Sequence, residues 1–137
     1  MVKYFFIGLL TLIMIACEED KAPERPKPQK TEYRPLISED NNGKYTEWYP
    51  GHKQVKLTGR KNKDGERVGI WKYYSDRGVE LSVTVYSNGK KNGHTVVKHP
   101  NGALHYSGEY VNDEPVGIWK FYDEQGKLTQ TKDYSKK

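Results

Sequence analysis

The chain has 137 residues, 34% hydrophobic and 30% charged, with a mean hydropathy of -0.96 and a net charge of +5. That is room for one modest domain with a thin core, and it excludes a large buried interior. A single cysteine, Cys17, excludes a disulfide within the chain and a Cys/His metal cluster. Thirteen Gly, eleven Tyr and three Trp suit strands and tight turns, so the composition predicts a small, twisted, all-β structure. The excess of Lys and Arg would favour anionic partners. Its clustering in apparent turns, as in Arg60-Lys61-Asn62-Lys63 and Lys90-Lys91-Asn92, reads instead as solvated hairpin tips.

Residues 4–16 form an apolar run of 13 residues after Lys3. A helix needs about 20 such residues to span a bilayer, so the run is too short to cross and the right size for the apolar part of a secretory signal. It ends in Met14-Ile15-Ala16-Cys17 and turns charged at Glu18-Glu19-Asp20-Lys21. This resembles a bacterial lipoprotein signal, with methionine where leucine is commonest. The resemblance implies a signal peptide over residues 1–16, diacylglycerol on the Cys17 thiol, cleavage before Cys17 and acylation of the new amino terminus. An ordinary secretory signal with an incidental cysteine is the competing reading. Each buried CH2 contributes about 0.8 kcal/mol, so three acyl chains such as palmitate would hold the protein on a membrane. The acidic run after Cys17 resembles the surface-export signals of bacterial lipoproteins, which implies the outer membrane of the cell envelope and exposure on its surface.

Residues 17–43 read as a lipidated, disordered tether. Pro23, Pro26, Pro28 and Pro35 interrupt a charged stretch with few apolar residues, too little to offset its ordering entropy. Proline-rich chain extends at ~3.1 Å per residue and acts as a spacer. Tyr33, Leu36 and Ile37 are the residues there able to dock on a folded part.

From Lys44 to Lys137 the chain repeats. Gly69-Ile70-Trp71-Lys72-Tyr73-Tyr74 returns 48 residues later as Gly117-Ile118-Trp119-Lys120-Phe121-Tyr122, with a degenerate copy from Gly93 to Lys98 midway. Gly78, Gly102 and Gly126 keep the same 24-residue period, as do Tyr86, Tyr110 and Tyr134. Several columns locked to one period identify a repeat array. Each unit reads as one β-hairpin, with turns at Asp76-Arg77-Gly78, Pro100-Asn101-Gly102 and Glu124-Gln125-Gly126. The glycine there fits a type I turn followed by a residue at positive φ. With that loop, Trp71, Tyr73, Leu81 and Val83 are predicted on one face, and Lys72, Tyr74, Glu80 and Ser82 on the other. In the last unit the same loop puts Trp119 and Phe121 with Thr129 and Thr131, whereas a two-residue loop would turn Leu128 to the Trp119 face. Trp48-Tyr49-Pro50-Gly51 is read as the aromatic strand and turn of an atypical first unit.

The units resemble the bacterial variant of the MORN-type repeat, Gly-x-Trp-x-x-Tyr-x-x-x-Gly, carried by Gly69, Trp71, Tyr74 and Gly78 and again by Gly117, Trp119, Tyr122 and Gly126. The third unit departs, with Thr95 and Lys98 in the Trp and Tyr columns. The resemblance implies an elongated antiparallel sheet of successive hairpins over residues 44–137. Many relatives carry an antitoxin label, which implies sequestration of a toxin or an immunity-like role.

No set of residues reads as a catalytic centre, and no cofactor, nucleic acid or small-molecule substrate is expected. His99 and His105 flank one turn and, with a carboxylate such as Glu109, are the nearest approach to metal ligands. Their columns hold Ser75 and Leu81, or Asp123 and Thr129, in the other units, the pattern of tolerant surface positions. Trp48, Trp71 and Trp119 are expected to be core, with Gly69, Gly78, Gly93, Gly102, Gly117 and Gly126 as structural repeat positions. Tyr74 and Tyr122 are the candidate binding face. The favoured function is a membrane-anchored, non-enzymatic scaffold that binds an envelope protein through its sheet, with toxin sequestration or binding of envelope glycan on an aromatic face as alternatives. The anchor is testable on its own. C17S should shift the protein from the membrane pellet to the soluble fraction, and a C17S chain that still pellets would refute lipidation.

Overall fold

The computed structural model describes residues 35–135, so the expected signal, Cys17 and most of the expected tether lie outside them. The described residues are all-β. Nine strands, β1 (Ile37–Glu39), β2 (Lys44–Trp48), β3 (Val55–Lys61), β4 (Arg67–Tyr74), β5 (Glu80–Ser87), β6 (Lys90–Lys98), β7 (Leu104–Val111), β8 (Glu114–Tyr122) and β9 (Leu128–Asp133), form one open antiparallel sheet. Spatial order is chain order, because every connection is a hairpin. The expected boundary at Lys44 needs correction. β1 falls inside the segment read as tether, and pairs Ile37 with Glu47 and Glu39 with Tyr45. Short and fully exposed, β1 has no apolar alternation to announce it.

The turns follow local chemistry. After β4, Gly78 N–H donates to Ser75 O (3.0 Å), Ser75 N–H donates to Val79 O (2.8 Å), and Gly78 sits at φ +85°. This is the three-residue loop expected from the glycine column. Ser75 Oγ accepts the N–H groups of Arg77 and Val79, and Asp123 Oδ1 does the same for Gln125 and Lys127 in the last unit. Between the later units the chain turns more tightly. Ser87 pairs with Lys90 around Asn88 and Gly89, both at positive φ, a two-residue turn whose twist matches the strands.

The facing of the return strands differs from expectation. Tyr74 pairs with Glu80, but Tyr73 pairs with Ser82, leaving Leu81 as an extra residue. Lys56, His105 and Thr129 hold the same place in the other units. A one-residue bulge reverses every later side chain. Trp71 and Tyr73 therefore share a face with Ser82 and Thr84, while Val83 lies opposite Lys72 on the other face. In the last unit Gln130 and Lys132, not Thr129 and Thr131, oppose Phe121 and Trp119. The loop keeps its three residues, and Leu128 pairs with Tyr122.

Two tryptophans organise the packing on the first face. Trp71 and Trp119 are 3% and 4% exposed, although the sheet is a single layer. Each lies flat on a glycine of the preceding strand. A Cβ on Gly59 would stand 2.2 Å from the Trp71 ring, and one on Gly108 would stand 2.3 Å from Trp119. The indole N–H groups are satisfied by Arg60 O at 3.1 Å and Val116 O at 3.2 Å. Other rings and cations complete the cover: Tyr45 and Tyr86 with the Arg67 guanidinium around Trp71, and Tyr106, Tyr110, Phe121 and Tyr134 around Trp119. Between the two clusters, Thr95 takes the tryptophan column and meets Thr84 hydroxyl to hydroxyl at 2.8 Å.

Trp48 is not the third member of this column. Counted from the bulge, it holds the place of Tyr74, on the opposite face, and is half-buried. Tyr45, paired with Gly59, holds the place of Trp71. Trp71→Ala should destabilise the sheet by about 3–5 kcal/mol in urea titration, the range for large-to-small changes at buried aromatics. Gly108→Ala should cost about 1–3 kcal/mol by overpacking against Trp119. An unchanged midpoint in either variant would contradict this packing.

Candidate binding face

The second face is the more open one. One row of it, along the hairpin-loop end of the strands, runs through Trp48 beside Val55, Tyr74 beside Glu80, Lys98 beside Leu104 and Tyr122 beside Leu128. Tyr74 and Tyr122 share this face because both end a strand just before the bulge, and both are half-buried. Lys98 stands between them in the same column, so one charged position interrupts an otherwise aromatic column of Trp48, Tyr74 and Tyr122.

Side chains of the preceding unit fix the backbone at both tyrosines. The Tyr49 hydroxyl donates to Tyr74 O at 2.9 Å and lies 3.3 Å from the Tyr73 hydroxyl. That second contact, with partial burial, pushes the Tyr49 phenol up to about 12, so it stays protonated and able to donate at any physiological pH. Two periods on, His99 Nε2 lies 2.9 Å from Tyr122 O. The His99 ring packs tilted against His105 at 4.2 Å, and His105 meets Tyr106 edge-on at 5.2 Å. The turn thus brings the two histidines together. Glu109 is not beside them: it pairs with His94, further along the strands. Among the described residues no group of three His, Cys, Asp or Glu side chains is placed to hold a metal ion.

Charge on this face centres on Glu80. Its carboxylate takes Lys72 Nζ at 3.0 Å and Lys98 Nζ at 3.4 Å, linking β4, β5 and β6. The hydrogen bond from Lys72 is the main cause holding Glu80 below the usual carboxylate range, and the same bond raises Lys72.

Some organising residues carry signals too weak to single out in the sequence. Gly59 and Gly108 lie outside the 24-residue glycine columns, and only a strand glycine set against a tryptophan marks them. Arg67 and Lys91, one period apart, cover the Trp71 and Tyr110 rings at 4.4 and 4.7 Å. Basic residues near aromatics are too common to identify such pairs.

No helix among the described residues is long and apolar enough to cross a membrane. Neither protein-family models nor curated proteins give a match to this chain.

The Glu80 bridge predicts a pH dependence. A carboxylate lowered in the folded state contributes stability above the unfolded value of ~4.3 and loses it as pH falls through the folded value. Glu80→Gln should therefore reduce stability near pH 6 by no more than about 1 kcal/mol, since both lysines remain solvated. The deficit relative to wild type should close near pH 3 in paired urea titrations. A deficit of equal size at both pH values would mean that the bridge contributes through packing and not charge.

Proposed function

We propose that this chain is a lipid-anchored envelope protein whose hairpin sheet is a non-catalytic binding or scaffolding surface for another envelope protein. The observation that carries this reading is the second face. Its tyrosines are held from behind by backbone-directed bonds from Tyr49 and His99. Their rings are nevertheless left half-exposed in a row with Trp48. On a fixed backbone a tyrosine ring has only two torsions to lose when a partner covers it, which is why Tyr and Trp dominate protein interfaces. Among the described residues β1 and β9 are the edge strands of this single-layer sheet, each with a backbone row facing away from its neighbour.

The anchor rests on the resemblance of the Cys17 segment to a lipoprotein signal, and the binding role accords with the MORN-type pattern of the units. Partner capture from the native membrane tests the reading. After crosslinking, a tagged full-length chain should retain an envelope protein. The double variant Tyr74→Ser, Tyr122→Ser should lose it at least tenfold while melting within a few degrees of wild type. A partner retained at full yield would refute the role of this face, and no retained partner at all would refute the binding reading.

A further inference from the structure

Two grooves open on the second face at equivalent places, four strands apart. The first, of about 520 Å³, is lined by Lys44, Thr58, Arg60, Val68, Ile70 and Lys72. The other, of about 400 Å³, has His94, Ser107, Glu109, Val116, Ile118 and Lys120 in the matching positions. A repeated step in the pairing makes both. From Thr58 to Arg60 β3 advances two residues while β4, from Lys72 back to Val68, advances four, and β7 and β8 repeat this between Ser107 and Glu109. The surplus bows β4 and β8 outward at Gly69 and Gly117, each at positive φ. Ile70 and Ile118 are left 58% and 60% exposed on the rims. An exposed isoleucine alone is ordinary. Here the same residue stands at the same rim of the same groove in two units, so shape and apolar lining are shared and charge is what differs.

The charges differ sharply. Lys44, Arg60 and Lys72 line the first groove and no carboxylate does; Glu80 reaches Lys72 from the neighbouring strand, and Asp40 accepts the Lys44 backbone N–H at 2.9 Å. In the second groove a glutamate replaces the arginine and a histidine replaces Lys44. We infer that the first groove is a docking site for an acidic segment of a partner protein, seating one apolar side chain against Val68 and Ile70 with carboxylates on Lys44 and Arg60. The second groove has the same seat but a carboxylate where that segment needs a cation, so it would reject it. This inference rests on the proposed binding role and specifies which partner chemistry the face selects.

The test uses full-length protein in detergent and a fluorescein-labelled peptide, Asp-Glu-Leu-Phe-Glu-Asp, followed by anisotropy. Two control peptides replace its acids by lysine or its Leu-Phe by Ser-Ser. The acidic apolar peptide should bind at least tenfold tighter than either control and weaken with added salt. Lys44→Glu with Arg60→Glu should lower its affinity at least tenfold, and Ile70→Ser severalfold, whereas Ile118→Ser should leave it unchanged. Melting curves verify that each variant is folded, and Arg60→Gln, expected to weaken binding severalfold, replaces the double reversal if that variant unfolds. Equal binding of the lysine peptide, indifference to Arg60, or equal losses from Ile70→Ser and Ile118→Ser would each overturn the proposal. So would a C17S protein that binds phosphatidylglycerol vesicles through Lys44 and Arg60 but ignores the peptide, since the groove would then serve an anionic lipid surface. If Arg60→Glu keeps the membrane partner that the tyrosine double variant loses, the groove is refuted and the binding face stands. If wild type captures no partner, the broader reading falls, and the titration still decides the groove.

Discussion

A sheet one layer thick cannot bury a large side chain between layers, and this fold depends on how it buries two of them. Trp71 and Trp119 lie along the sheet, each on a glycine of the preceding strand, with rings and a guanidinium closing over them. Glycine is needed because any Cβ would occupy the volume of the indole. The carbonyls of Arg60 and Val116 take the indole N–H, so burial leaves no polar group unmatched. Each cluster spans several strands, joining hairpins that would be marginal alone. The two tryptophans serve as local cores, and Thr84 with Thr95 bridges the stretch between them by a hydrogen bond.

This arrangement separates the work of the two faces. With the aromatic cover concentrated on the Trp71 face, the other face need not supply a core. It carries the tyrosine row, the Lys72–Glu80–Lys98 bridge and the paired grooves. The copies agree closely where the tryptophans pack. They diverge where the face meets solvent, as at Arg60 and Glu109.

What the sequence disclosed followed the range of the forces involved. The turns at Gly78 and Gly126 were legible because positive φ and the flanking Ser75 or Asp123 are local requirements written in adjacent residues. The antiparallel hairpin array was legible because its period is carried by several columns. The one-residue bulges were not. Lys56, Leu81, His105 and Thr129 share no chemistry, and the register there is set by pairing across strands, so the facing of Val83 and Thr131 came out reversed. Trp48 misled for a related reason: residue type matched the column while register placed it with Tyr74. On the binding face, Tyr74 and Tyr122 could be named from the repeat. The groove beside Ile70 could not, because it exists only where β4 bows away from β3.

The bulges also bear on how such an array can change in length. Each hairpin carries a one-residue bulge and each junction between hairpins a two-residue surplus, and the full unit of 24 residues returns every side chain to the face it left, as Trp71, Thr95 and Trp119 demonstrate. Whole units can therefore be gained or lost without inverting the rest of the sheet. A single-residue deletion inside a strand would turn all downstream side chains over until a compensating slip restored parity. Duplication is the tolerant route for this fold, and small frame changes within strands are the intolerant one.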